Sequence, residues 1–289
     1  MKIAIVGGSG YIARQIFDRI SHIKGIEQIY KIGRAPDDDM FLDLNSPEQF
    51  AYNELEKMDY IIFTAAVSSP DKCKNNFDES WKVNVSGTEF FIEGALKRGC
   101  KVIFFSSDTV FGADIGTPFD EESETNATTT YGKMKKAVED CFTGNSHFKA
   151  IRLSYVVSAT DKFVKYCRGC IERNEEAEIF HPFYRNCITV SDVAGIVCWL
   201  IENWDSYQPD YINAAGIELV SRVRIADEIN RLSGYKLKYK IVYPDENFFA
   251  DRDKVIQMQS KYIKKYEMIE TGNFTEKLAK EMKGVNYGN

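Results

Sequence analysis

Apolar residues along the chain fall into two alternating patterns. Short, largely apolar runs occur at Lys2–Val6, 28–32, 40–42, 60–64, 101–105 and 210–214. Between them, apolar residues recur at helical spacing. Ile12, Ile16, Phe17 and Ile20 form one such series, and Trp81, Val83, Val85, Phe90, Phe91 and Leu96 another. Residues 163–173, 188–204 and 223–232 repeat the pattern, the last stopping at Gly234. A continuous run bounded by turn residues reads as a strand buried on both faces of a parallel sheet, and the spaced series as an amphipathic helix. Their alternation predicts an α/β protein built on a doubly wound parallel sheet. Residues 236–243 alternate and end before Pro244, which predicts an edge strand.

The chemistry sits where the runs end. Lys2–Val6 closes in Gly7-Gly8-Ser9-Gly10-Tyr11-Ile12-Ala13 and passes into the first helical series. Gly8, Gly10 and Ala13 fit G-x-G-x-x-G/A, and Gly7, Gly10 and Ala13 fit a wider spacing. In a strand–turn–helix context the glycines let backbone approach a pyrophosphate, and the helix N-terminus faces its charge. The second run ends in Gly33-Arg34. A site for NAD carries an acid there for the ribose 2′-hydroxyl, whereas an Arg fork suits the 2′-phosphate of NADP. Glu27 precedes this run and Asp37 to Asp39 lie beyond its end, so NADP is favoured, with NAD as the alternative. Asp43 follows the third run, within reach of an adenine. Residues 60–64 lead into Ala65-Ala66-Val67, small enough for close passage of a cofactor.

Residues 101–105 lead into Ser106-Ser107-Asp108, which places hydroxyls at the carboxyl end of a central strand, where open α/β sheets bind ligands. Tyr131 and Lys135 follow at i and i+4, side by side on one helix face, with Thr128 or Thr129 as N-cap. A neighbouring ammonium is expected to lower the phenol pKa toward the range of an acid–base catalyst.

Composition narrows the setting. At 289 residues, 44% hydrophobic and 28% charged, the chain has ordinary globular character and length for a full core in one large or two smaller domains. A formal charge of -6 offers no basic footprint for nucleic acid. No apolar run approaches the ~20 residues of a membrane span, and the chain enters its first strand without a signal peptide pattern. Seven scattered cysteines, an odd count, predict reduced thiols and a cytoplasmic location. Cys167 and Cys170 form a lone CxxC, and His22, His147 and His181 lie at unrelated spacings, so no metal site is expected.

Taken together, the motifs resemble the extended short-chain dehydrogenase/reductase family over nearly the whole chain. The resemblance rests on Gly7 through Ala13, Asp43, Ala65-Ala66, Asn84-Val85-Ser86-Gly87-Thr88, Ser106-Ser107, Tyr131 with Lys135, Arg152-Leu153-Ser154-Tyr155-Val156 and residues 185–194. It implies a Rossmann domain over residues 1–155, with 187–215 returning to it. A smaller C-terminal α/β domain, mainly 156–289, would cover a nucleotide-sugar. It also implies Tyr131 as acid–base residue, Lys135 as tuner and ribose anchor, and Ser107 as hydrogen-bond partner of the reacting oxygen. Gly7, Gly10, Tyr11, Ile12, Arg34, Asp43, Leu44, Ala65, Ala66, Asn84, Tyr131 and Lys135 would hold the cofactor. Val67, Asp108, Tyr155, Arg185 and Arg252 would meet the substrate, the two arginines near phosphate.

Within the family, dehydratases carry an Asp-Glu pair after the hydroxyl residue, and here the pair is Asp108-Thr109. Ser107-Asp108, Asp71-Lys72-Cys73 and the 152–156 stretch are most similar to the dTDP-4-dehydrorhamnose reductase group, with Ser107 for Thr and Tyr155 for Trp as departures. The expected activity is NADP(H)-dependent reduction of a nucleotide-diphospho-4-keto-6-deoxysugar at C4. An NAD-dependent epimerase and a non-catalytic dinucleotide-sensing subunit are the alternatives. Residues 81–96 and 130–142 would pair in a homodimer, as in the family.

Overall fold

The computed structural model describes residues 1–113 and 116–287. Strand β1 (Lys2–Val6) opens the chain, followed by helix α1 (Tyr11–Ile20), β2 (Gln28–Gly33) and β3 (Met40–Phe41). The chain then crosses to the other side of β1 to form β4 (Tyr60–Phe63). Helices α2 (Pro70–Asn75), α3 (Phe77–Trp81) and α4 (Thr88–Leu96) lead to β5 (Lys101–Ser107), α5 (Thr130–Phe142) and β6 (Phe148–Leu153). A last strand of the sheet, β7 (Tyr211–Ala214), arrives late in the chain, and the order β7-β6-β5-β4-β1-β2-β3 makes a seven-stranded sheet, parallel throughout. The α/β doubly wound architecture expected from the pattern is therefore the one observed.

Pleating explains the continuous apolar runs. Ile3, Ile5, Tyr60, Ile62, Ile103 and Phe105 face a core shared with α1 and with α7 (Val190–Asn203). Their neighbours Ala4, Val6, Ile61, Phe63, Val102 and Phe104 face a second core under α4 and α5. Successive side chains point to opposite faces, so a strand covered on both sides must be apolar at every position.

The helix expected through Trp81–Leu96 is not regular, and the segment that leads into it is helical as well. That segment breaks after Asn75, and residues Lys82–Gly87 form a π-helical turn. The cause is tertiary. The Asn84 amide is drawn inward to the backbone of Val67, accepting from Val67 N at 2.8 Å and donating to Val67 O at 2.9 Å. Gly87 passes so close to Leu44 that a Cβ there would lie 2.0 Å from the Leu44 carbonyl oxygen. A widened turn accommodates both, and such turns gather at functional sites. The helix expected over 188–204 also starts later. Residues Ile188–Thr189 pair as a strand with Val156–Val157, and Thr189 caps the helix by accepting from Asp192 N.

The remaining elements form a smaller layer. Its core gathers Phe163, Val164, Cys167, Ile179, Ile225, Ile229, Phe274 and Leu278 from three helices and a strand. The expected edge strand shortens to Tyr239–Val242, which pairs in parallel with Ala177–Phe180. Tyr184–Arg185 lies between Val220–Ser221 and Val255–Ile256. Among the described residues no helix is long and apolar enough to cross a membrane.

Candidate active site

A cleft of about 650 Å³ opens where the strand order reverses between β1 and β4. Gly7 and Gly10 form its floor, Ala65, Ala66 and Val67 one wall, and Arg34, Asp43 and Leu44 the other. Gly7 has φ +82°, and a Cβ there would lie 2.9 Å from both N and Cα of Ala65. Glycine thus brings the β1 turn and the β4 loop together. No side chain caps α1 and no acid occupies its first turn, which leaves its positive end to an anion. Asp43 is held by Asn45, whose backbone N and Nδ2 both donate at 3.0 Å, and these bonds hold its carboxyl below the ordinary value. Ile12 packs against the core, and the Tyr11 hydroxyl donates to Val156 O at 3.3 Å.

The second part of the site lies at the end of β5. Helix α5 starts at a cap in which Thr129 Oγ1 accepts from Gly132 N at 3.2 Å. A Cβ on Gly132 would sit 2.3 Å from the Thr109 carbonyl oxygen, so the helix presses directly on the chain leaving β5. This contact sets the turn that carries Tyr131 against Thr109, two residues past Ser107, and the Tyr131 phenol feels the charge of Asp108. Lys135 lies one turn deeper. It is 2% exposed and its Nζ donates to Phe105 O at 2.7 Å, lying 4.4 Å from the Phe104 ring centroid and 5.7 Å from that of Tyr131.

The electrostatics correct one expectation. The Tyr131 phenol is raised, not lowered: burial is the largest cause, with Cys73, Asp108 and Tyr11 adding to the rise. Burial instead pushes Lys135 down to about 7, against an opposing pull from Glu139. Glu139 continues the helix face at i+4 from Lys135, and is itself clamped by Arg152 through Nε at 3.1 Å and Nη2 at 2.8 Å. Arg152 thus serves a buried ion pair beneath Lys135.

Ser107 Oγ donates to Asp108 Oδ1 at 3.2 Å and accepts from Thr109 N at 3.3 Å and Thr109 Oγ1 at 3.0 Å. Asp108 is 4% exposed, and burial raises its pKa while Arg185 pulls it back. Arg185 Nε meets Asp108 Oδ2 at 3.1 Å. Ser106 Oγ is buried and has no partner among the described residues.

Asn84, Tyr155, Arg185 and Arg252, like Asp108 and Tyr11 above, were assigned to ligand contact by sequence and have partners within the protein. Asn84 is 2% exposed and both ends of its amide are bound to Val67, so it shapes the cleft wall from behind. The Tyr155 hydroxyl donates to Asp161 Oδ1 at 3.0 Å and its ring packs in the smaller layer, away from the cleft. Arg185 donates to Tyr184 O, Asp253 O and Asp108, which uses its fork inside the protein. Arg252 rests on the Phe248 ring and pairs with Asp71 Oδ2 at 2.6 Å.

Sequence reasoning missed two groups. Asp38 lines the cleft beside Arg34, its Oδ2 accepting from Ala35 N at 2.7 Å. In sequence, Asp37 to Asp39 lie beyond the end of β2 and are set aside on that ground, but the turn after β2 folds Asp38 back onto the cleft. Asp251 and Asp253 reach the start of α5 from the far end of the chain, accepting from Thr130 and Thr128. No local motif announces them.

A dTDP-4-dehydrorhamnose reductase of Sinorhizobium fredii is 30% identical over 123 residues, which span 42% of this chain and 42% of that protein. The structure of the dTDP-4-dehydrorhamnose reductase of Bacillus anthracis in complex with NADP superposes with TM-score 0.84 at 19% identity, covering 99% of both chains. The UDP-glucose 4-epimerase of Thermus thermophilus in complex with NAD superposes with TM-score 0.81 at 14% identity, covering 99% of this chain and all of that one. At these identities the superpositions establish the fold. The model of the RmlD substrate-binding domain family matches residues 1–286, and the chain belongs to that family.

Proposed function

We propose that this protein is an NADP(H)-dependent reductase of a nucleotide-diphospho-4-keto-6-deoxysugar, acting at C4 with Tyr131 as proton donor. The observation that carries the reading is the buried Tyr131 phenol, held above its ordinary pKa beside the strand end bearing Ser107. A phenol that stays protonated at neutral pH is a donor, and a ketone under reduction needs one as charge builds on its oxygen. The Sinorhizobium relative and the Bacillus structure, both dTDP-4-dehydrorhamnose reductases, support the substrate class, and the NADP in the latter supports the cofactor.

The cleft fits a dinucleotide. Gly7 keeps the space a Cβ would fill, α1 offers an uncapped N-terminus, and Arg34 stands ready for a 2′-phosphate. A bound nicotinamide supplies the hydride. Tyr131 gives its proton to the carbonyl oxygen, so that C4 gains a C–H bond and its oxygen an O–H bond. Ser107 can turn its proton from Asp108 to the same oxygen, because Arg185 remains as the partner of Asp108. Lys135, with a pKa near 7 and anchored on Phe105, can share charge with the phenolate left behind. Thr109 follows Asp108 where a dehydratase carries glutamate, and its hydroxyl is bound to Ser107.

One observation favours the NAD-linked epimerase as second reading. Asp38 lines the same cleft as Arg34 and offers the acid that a 2′-hydroxyl recruits. The NAD-bound epimerase of Thermus thermophilus shares the fold. The deciding experiment supplies NADPH with a panel of nucleotide 4-ketosugars. Stoichiometric consumption is expected, whereas isomerised product without net NADPH loss selects the epimerase. The reading includes a homodimer through residues 81–96 and 130–142, where Phe90 remains 47% exposed. A monomer mass by light scattering would sink that part.

A further inference from the structure

Residues 251–253 reach from the smaller layer to the reaction centre, and each touches a different part of it. Asp251 Oδ1 accepts from Thr130 N at 2.7 Å and from Thr130 Oγ1 at 3.0 Å. Arg252 Nη2 meets Asp71 Oδ2 on α2 at 2.6 Å, one residue before Lys72 on the cleft wall. Asp253 accepts from Thr128 Oγ1 at 3.0 Å, and its backbone carbonyl accepts from Arg185 Nη2 at 2.9 Å. Arg185 leads on to Asp108 and Ser107. One tripeptide strap therefore contacts the helix of Tyr131, the wall of the cleft and the ion pair behind Ser107.

Helix α5 does not need this strap to begin. Thr129 already caps it from within the same turn. Asp251 adds a second acceptor at the same end from 121 positions away. A local cap stabilises a helix wherever it lies, while a distant one also sets where the helix end stands. The arrangement costs stability, because Asp251 is 9% exposed and its Oδ2 is buried without a partner among the described residues, as is Oδ2 of Asp253. The position matters most at this turn. Gly132 leaves no slack against Thr109, so a small displacement of the helix end moves Tyr131 relative to Ser107.

We propose that Asp251 is a positioning residue for Tyr131, holding the first turn of α5 at its working distance from β5 through the 251–253 strap. The proposal rests on the assignment of Tyr131 as proton donor. It is tested with Asp251→Ala and Asp251→Asn, the second keeping the Oδ1 acceptor. Amide exchange at residues 130–133 is read together with kcat, KM and the NADPH dissociation constant. In Asp251→Ala, exchange over the first turn of α5 rises at least about tenfold while residues 88–96 stay protected. Turnover falls at least about tenfold, with KM and NADPH affinity within about twofold of wild type. Asp251→Asn restores both. Thr130→Val, which removes only the hydroxyl bond, gives the same change in smaller size and serves if the alanine variant does not fold. Unchanged exchange in Asp251→Ala, faster exchange at wild-type kcat, or equal losses in the Asn and Ala variants overturn the proposal. A wild-type protein that reduces no ketosugar overturns the functional reading instead, and the exchange comparison still decides whether the strap holds the helix.

Discussion

The two halves of the site are held by different means. The nucleotide side is made of close backbone approach and a local turn, with Gly7 against Ala65 and Asp43 turned onto Asn45, two residues on. The side proposed to deliver the proton is held by side-chain contacts: Asp251 to Thr130, Arg185 to Asp108, and Arg152 to Glu139 beneath Lys135. Backbone proximity tolerates changes of nearby side chains but no added Cβ. A network of buried charges tolerates bulk poorly and the loss of a partner least of all. Damage to the first half should appear as weaker cofactor binding, and damage to the second as lost stability or turnover.

The largest expected effect comes from breaking a buried pair. Arg185→Met strands Asp108 and should cost about 3–5 kcal/mol in denaturant unfolding, with most of it recovered by adding Asp108→Asn. Equal stabilities of the single and double variants would show that the pair is not coupled. Next, Tyr131→Phe should lower turnover at least about 100-fold while leaving NADPH affinity unchanged; wild-type-like turnover removes Tyr131 from the mechanism. Gly7→Ala forces an L residue to φ +82° against Ala65 and should weaken NADPH binding by roughly 1–3 kcal/mol, with kcat at saturation much less affected. Arg34→Asp should shift relative affinity from NADPH toward NADH by about tenfold, on the scale of one charge-assisted contact; an unchanged ratio makes Arg34 a solvated loop charge.

The last expected effect is a pH slope. Lys135 titrates near 7 in the folded protein, below the ordinary lysine value of 10.5 that applies when unfolded. Between these values the unfolded chain binds the extra proton, so stability rises with pH across that window, by at most about 1.4 kcal/mol per pH unit. Below pH 7 both states are protonated and the cost of the buried ammonium is present in full. Lys135→Met should therefore be more stable than wild type at pH 6, and the gap should narrow toward pH 10. A constant gap would mean that Lys135 keeps its proton throughout.

The same division explains what could be read from the chain. The sheet was legible because strands buried on both faces are apolar at every position, as Ile61 and Ile62 show on opposite cores. The turn at Gly7 was legible because a tight approach restricts residue type locally. Tyr131 and Lys135 were found through helical spacing, but their electrostatics were not, since spacing does not report that both groups are out of water. Asn84, Tyr155, Arg185 and Arg252 stand at recognisable positions, and only tertiary neighbours decide which way their polar atoms turn. Asp251 and Asp253 were invisible for the same reason, their partners lying more than a hundred residues away.

The wide turn at Lys82–Gly87 has a consequence for chain length. In an α-helix each residue advances the face by about 100°, so one extra residue in a turn resets the phase of everything after it. Before the turn, Cys73 and Trp81 look toward Met134 and Tyr131; after it, Phe91, Ile92 and Ala95 look into the sheet. Removing one residue from this turn would yield a more regular helix and a worse protein. The second half would rotate its apolar face out of the core, and the Asn84 amide would swing away from Val67. On a helix that looks open to variation, length is held as strictly here as identity is at Gly7.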